Sequence, residues 1–230
     1  MFLLSRKIRI ISRFVAVILA LVVVFSIVEP AYAASRYEKW EIMWTNATDE
    51  ERYYMPAEVK AYACGLSTYD YIFFARVIEG EGADDMDNIT DKVLVAITVL
   101  NRTNCGRWPT SRVISTLQRP GQFEVVNSET HECHCARSLD SEWSIVMAYR
   151  LVEQRAVSCH MVYYNAYGFT GYSRQFTNYA YFGGNYFSVI DCDCDSCQQR
   201  QPDDWDINEV EMMPDDFVVL RPSNVEAHYV

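Results

Sequence analysis

The 230-residue chain is short of positive charge: 20 Lys and Arg stand against 31 Asp and Glu, for a net charge of −11. Holding nucleic acid takes clustered Lys and Arg to neutralise phosphates, so nucleic acid is excluded as a partner. The chain also lacks internal repeats and low-complexity tracts. It has little apolar sequence of spanning length. The run Phe14 to Val28 falls short of the ~20 residues a membrane-crossing helix needs and is closed by Glu29 and Pro30. Arg6, Lys7, Arg9 and Arg13 precede it, and the small-x-small step Ala31 to Ala33 follows. That order predicts a secretory signal peptide over residues 1–33, cleaved after Ala33, rather than an uncleaved anchor. The membrane then concerns the protein only through this segment, should it stay attached, and the mature chain is expected outside the cytoplasm.

Cleavage takes four basic residues and one acidic residue, leaving 16 against 30, a net −14. Much of that sits at the end. Asp191 to Val230 holds 11 acids against Arg200 and Arg221. The eight cysteines form an even set, which in an exported chain predicts disulfides, without fixing their connectivity. Metal-binding patterns are incomplete. The run His131, Cys133, His134, Cys135 and the run Cys192, Cys194, Cys197 contain C-x-C steps, which suit zinc less well than pairs spaced by two to four residues. Asp191, Asp193 and Asp195 open like a calcium loop, but Ser196 stands where Gly is needed and Pro202 where the bidentate Glu is needed. Neither a metal nor a cofactor is expected.

The periodicity predicts helices first and strands later. Residues 34–68 read as a lead-in with a short helix after Pro56. Tyr69 to Glu79 suits a buried helix, followed by the turn-forming "GEGADDMDNIT". Thr90 and Asp91 read as the N-cap region of an apolar segment, Val93 to Leu100, that would serve as a helix or equally as a strand. Short helices are expected over Ser111 to Leu117 and Ser141 to Gln154, and beyond Ser158 the aromatic, glycine-punctuated sequence reads as strands. The fold class is α+β. Residues 69–190 form the expected catalytic domain, and 191–230 an acidic, cysteine-containing tail of which Phe217 to Leu220 could pack.

"ARVIEGEG", the helix ending in "LNR", "PGQF", "VYYN" and "GGNYF" resemble, in order and approximate spacing, the SleB-type cell-wall hydrolases, the spore cortex-lytic family. No single piece is specific, but the set in register is. The resemblance covers about Tyr69 to Val189 and implies a lysozyme-like α+β fold, a helical N-terminal part with a small aromatic-rich β region. It implies a peptidoglycan substrate and a secreted, wall-associated enzyme that cuts the glycan bond between N-acetylmuramic acid and N-acetylglucosamine. The family's catalytic acid falls on Glu81, after Gly80; Glu79 occupies a variable position. Its second acid falls on Asp85, shortened by one methylene. Asn101 and Arg102 match the L-N-R ending. Gln122, Phe123, Tyr163, Tyr164 and Asn165 match positions expected to bind the glycan. Asn185 departs from the pattern, replacing the usual His with an amide that can hydrogen-bond a sugar but not transfer a proton.

The physical reading of Glu81 agrees with the resemblance. A carboxyl at the negative end of an apolar helix should hold its proton longer than usual, as a general acid for glycosidic cleavage must. The resemblance further implies a lytic transglycosylase, in which one carboxyl acts as acid and then base. The alternatives are a hydrolase using water and a wall-binding or structural protein that has kept the fold without turnover.

Overall fold

The computed structural model describes residues 36–83, 88–108, 110–168, 177–189, 194–195 and 217–222, with the side chains of 177–180 left aside. The expected signal peptide and Asp85 lie outside these residues. The chain divides into two units, Met1–Asn46 and Ala47–Val230. In the first, residues 36–46 are helical (α1), with Arg36 stacked 4.3 Å from the Trp40 ring.

The second unit begins with α2 (Asp49–Tyr53), whose start is fixed by Thr48 and Glu51 exchanging side-chain and backbone hydrogen bonds. Helix α3 (Ala57–Ala63) begins after Pro56, and α4 (Thr68–Glu81) is capped by the Ser67 hydroxyl. The central helix is α5 (Thr90–Asn104). It is buried around its whole circumference from Thr90 to Arg102, as an almost unbroken apolar run requires, and so resolves the helix-or-strand ambiguity. Its N-cap is Ile89; Thr90 and Asp91 are its first two helical residues rather than its cap, because Asn88 Oδ1 already accepts the Thr90 N–H at 2.9 Å. A short α6 (Val113–Leu117) and the long α7 (Leu139–Glu153) follow, the latter started by the Ser138 and Ser141 side chains.

The strands β1 (Met161–Asn165), β2 (Thr177–Phe182) and β3 (Asn185–Val189) form an antiparallel sheet in the order β1-β3-β2. The chain is therefore mixed helix and small sheet, compatible with α+β. Helix α5 packs between α7 and β1. Beyond Val189, residues 217–222 return to this core. The Val219 N–H donates to Thr90 Oγ1 at 2.8 Å, its carbonyl accepts from Ile89 N at 2.9 Å, and the Arg221 guanidinium clasps Asp140.

The segment read as a lead-in divides accordingly. Residues 47–68 belong to the second unit, since Tyr53 and Lys60 are buried against α7, where the Tyr53 hydroxyl meets Asp140 at 2.8 Å and Lys60 Nζ meets Glu142 at 2.8 Å. A buried ammonium held by a carboxylate more than eighty positions away is invisible to local pattern. Among the described residues, no helix is long and apolar enough to cross a membrane.

Candidate active site

Helix α4 ends at Glu81, and Gly82 closes it by donating to the Ile78 carbonyl at 2.9 Å. Residues two apart on a helix point to different sides, so the opening pair of acids separates. Glu79 faces inward. Its carboxylate takes Lys92 Nζ at 3.1 Å and a short hydrogen bond from the Ser138 hydroxyl, with Lys92 itself 2% exposed. Glu81 faces the sheet. Its Oε2 accepts from the Tyr164 hydroxyl at 2.9 Å and its Oε1 from the Val125 N–H at 3.2 Å.

This carboxyl opens into a cavity of about 510 Å³, lined among others by Gln122, Phe123, Glu124, Tyr164, Asn165 and Asn185. The volume lies in the range of small-ligand clefts. Burial pushes the Glu81 carboxyl above its ordinary pKa. The Tyr164 hydroxyl and the N–H groups of Val125 and Glu124 pull the other way without cancelling it, and the Glu124 charge adds a smaller upward push. Tyr164 in turn is held well above its ordinary pKa, by burial first and by the Glu81 charge second, so its hydroxyl remains a donor.

Two glycines allow the close approach. A Cβ on Gly80 would fall 2.6 Å from both Cys135 Sγ and Val125 Cγ1, and one on Gly82 would fall 2.6 Å from Lys92 Cγ. The L-N-R ending of α5 ties that helix to the sheet. Asn101 Nδ2 donates to the Ser158 and Met161 carbonyls, each at 2.9 Å, and Arg102 Nε to the Val162 carbonyl at 2.7 Å. The Arg102 guanidinium lies 5.1 Å from the Trp108 ring and 5.5 Å from those of Phe123 and Tyr163, clamping the Phe123 loop beside β1.

The expected site residues therefore take different places. Glu81, Gln122, Phe123, Tyr164, Asn165 and Asn185 share the cavity wall. Tyr163 does not line it: as the strand neighbour of Tyr164 it packs toward Trp108 and Arg102 instead. Asn165 spends both side-chain atoms locally, accepting from Tyr167 N at 2.7 Å and donating to the Gly168 carbonyl at 2.8 Å. Asn185 is 6% exposed, and its amide nitrogen is turned inward to the Glu81 carbonyl and to Asp91. Asp91 is a buried carboxyl that sequence reading took only for a cap; burial pushes it up to about 6. Glu124 was missed as well, because nothing in the spacing links position 124 to position 81.

Among the described residues, no group of three or more His, Cys, Asp or Glu is placed to hold a metal. The His131 ring meets the Gln118 carbonyl at 2.8 Å, and Cys135 packs on Gly80. Cys105 and Cys194 bring their sulfurs to 3.8 Å, beside Cys159 and Trp108. No family model matches the chain, and neither a curated protein nor a solved structure matches it.

Proposed function

We propose that the protein is an exported, lysozyme-like enzyme that cleaves the glycan strand of peptidoglycan, with Glu81 as its single essential acid. The observation that carries this reading is the Glu81 carboxyl itself. It stands at a helix end, facing a cleft, with its pKa raised by burial and its two oxygens oriented by Tyr164 and Val125. A glycosidase acid must be protonated before the bond breaks and a competent base afterwards, and this environment suits both states.

In the transglycosylase form, Glu81 gives its proton to the glycosidic oxygen as the bond from that oxygen to the anomeric carbon of N-acetylmuramic acid breaks. The released N-acetylglucosamine end carries that proton away. The 6-hydroxyl of the muramic residue then bonds to the same anomeric carbon, and its proton returns to Glu81. The product ends in a 1,6-anhydro ring and no water is consumed. The positive charge that develops between these events is opposed by Glu81, which is a carboxylate between giving up its proton and taking one back.

Glu124 also supports a second reading. A carboxylate in the same cleft could hold a water for attack, which would make the enzyme a hydrolase. Digestion in oxygen-18 water separates the two, since only the hydrolase places solvent oxygen at the new reducing end. The test of the site is Glu81→Gln on a peptidoglycan zymogram and on soluble glycan strands. The substitution is nearly isosteric, and the expected loss is about a hundred-fold or more. Retained turnover in Glu81→Gln, with loss in Glu79→Gln, would transfer the role to the other acid.

A further inference from the structure

Glu81 is held through its side chain by Tyr164 and Val125, and its main chain is held separately. The last carbonyls of a helix have no partner within it. The carbonyl of Glu81 finds one in Asn185, the first residue of β3, whose Nδ2 lies 3.1 Å away. The same nitrogen lies 3.0 Å and 3.2 Å from the two carboxylate oxygens of Asp91. An amide nitrogen carries two hydrogens, so it can serve both acceptors at once.

Asp91 is 4% exposed. Its Oδ2 also accepts the Ala83 N–H at 2.6 Å, just beyond the end of α4, and the backbone N–H groups of Gly184 and Asn185 point at it. The nearest ammonium, on Lys92, is directed at Glu79. The turn between β2 and β3 is pressed onto this carboxylate. A Cβ on Gly183, which has φ +59°, would fall 2.8 Å from Asp91 Cβ, and one on Gly184 would fall 2.8 Å from Ala83 Cβ. The "GGN" step is therefore built to bring Asn185 between Asp91 and the last turn of α4.

We infer that Asp91, acting through Asn185, is a positioning residue that fixes the backbone of Glu81 against the sheet and so sets where its carboxyl meets the glycosidic oxygen. The inference rests on the function proposed above. Neither residue touches the reacting atoms. Their work is to hold the acid in place, and a displacement of about 1 Å at a reacting group can cost on the order of a hundred-fold in rate.

The chemistry of the latch gives a test that separates positioning from stability. In Asp91→Asn one oxygen can stay to accept from Ala83 and from the Asn185 amide, but the other becomes an NH2 group that opposes Asn185 Nδ2 across about 3.2 Å. Turning Asn185 over would set its oxygen against the Glu81 carbonyl, so the link is weakened either way. In the double variant Asp91→Asn/Asn185→Asp, position 91 can still accept from Ala83 and now donates to position 185. The link between 91 and 185 returns, but a carboxylate now faces the Glu81 carbonyl with no proton to offer.

The expected result is that Asp91→Asn lowers kcat on soluble glycan strands about ten- to a hundred-fold, with KM changed less than about twofold. The double variant should recover most of the thermal midpoint but not kcat. Wild-type kcat in Asp91→Asn overturns the inference, and so does a double variant in which midpoint and kcat return together. If Asp91→Asn does not fold, the double variant alone decides on the same split. If the wild-type protein itself leaves peptidoglycan intact, the proposed function has failed, and the latch is judged by amide hydrogen exchange. Slow exchange at Gly82, whose N–H closes the last turn of α4 on the Ile78 carbonyl, in wild type and faster exchange in Asp91→Asn, or in the double variant if the single does not fold, supports it, whereas equal exchange overturns it.

Discussion

Gly80→Ala tests the packing behind Glu81 without presuming any activity. In a helix interior the change should help, since Ala is preferred over Gly by about 0.8–1 kcal/mol. Here the added methyl carbon would lie 2.6 Å from Cys135 Sγ, 2.6 Å from Val125 Cγ1 and 3.1 Å from Val125 Cβ. A rotamer change at Val125 removes one of these contacts but not the one at Cβ, so the backbone around Val125 must give way. Overpacking of this kind costs about 1–3 kcal/mol. It outweighs the helix preference, the more so because Gly80 lies in the last turn, where that preference is weakest. The movement also lengthens the Val125 N–H contact to Glu81, which at 3.2 Å is already at the long limit for such a bond. A net loss of about 1–2 kcal/mol corresponds to a thermal midpoint lowered by roughly 2–8 °C in a domain of this size. Scanning calorimetry or circular dichroism reads it directly. A Gly80→Ala protein that melts higher than wild type would refute the reasoning, for it would show that the helix preference wins and that the contact with Val125 and Cys135 is loose.

Three further outcomes follow from the site. Tyr164→Phe removes a hydroxyl that favours ionised Glu81, a hydrogen bond contributing about 1.5–3 kcal/mol when the acceptor is charged. Glu81 then keeps its proton to higher pH and the alkaline limb of the activity profile moves up; an unmoved limb counts against Glu81 as the acid. Burial raises both Asp91, to about 6, and Glu81, so the folded state holds protons that the unfolded chain releases. Their contribution to stability is complete below about pH 4, near the ordinary Asp and Glu values, and is lost as pH rises through their folded-state values. The denaturant midpoint should therefore fall between about pH 4 and 6, and Asp91→Asn should flatten that slope; a midpoint rising over this range in wild type, with the slope unchanged in Asp91→Asn, contradicts the burial argument. In exported, unreduced protein, peptide mapping should join Cys105 to Cys194, whose sulfurs stand 3.8 Å apart; both recovered as thiols, with zinc bound in stoichiometric amount, would replace the disulfide reading.

The parts of the fold that follow from neighbours in sequence were legible. The helix expected over Tyr69 to Glu79 runs Thr68–Glu81, the one over Ser141 to Gln154 runs Leu139–Glu153, and the strands lie where aromatic residues and glycines alternate. What local pattern could not give are partners brought together from far along the chain. Lys60 with Glu142 and Tyr53 with Asp140 are polar pairs formed across more than eighty positions, and the Thr90 hydroxyl meets the Val219 main chain from the far end of the sequence. Asp91 is the clearest case. Its place at the start of a helix already explains an acid there, because the helix dipole favours one. Nothing in the neighbouring residues announces that four donors from two distant turns close over it.

The same distinction governs the two acids at the end of α4. Both lie in one glycine-rich stretch, and one-dimensional spacing treats them almost alike. Helix geometry sends Glu79 toward α7 and Glu81 toward the sheet, and the partners then decide what each carboxylate can do. Glu79 meets a buried ammonium and a hydroxyl, which tie it to the packing of the helices. Glu81 takes its hydrogen bonds from neutral donors, Tyr164 and the Val125 and Glu124 N–H groups, and desolvation outweighs them and pushes its pKa up. A cation such as Lys92 beside Glu81 would favour its ionised form and oppose the effect of burial. Gly82 keeps Lys92 where it is, because any side chain at 82 would displace the lysine stem 2.6 Å away. The glycines flanking Glu81 thus have separate tasks, Gly80 admitting the loop that donates to the acid and Gly82 seating the lysine that must stay with its neighbour.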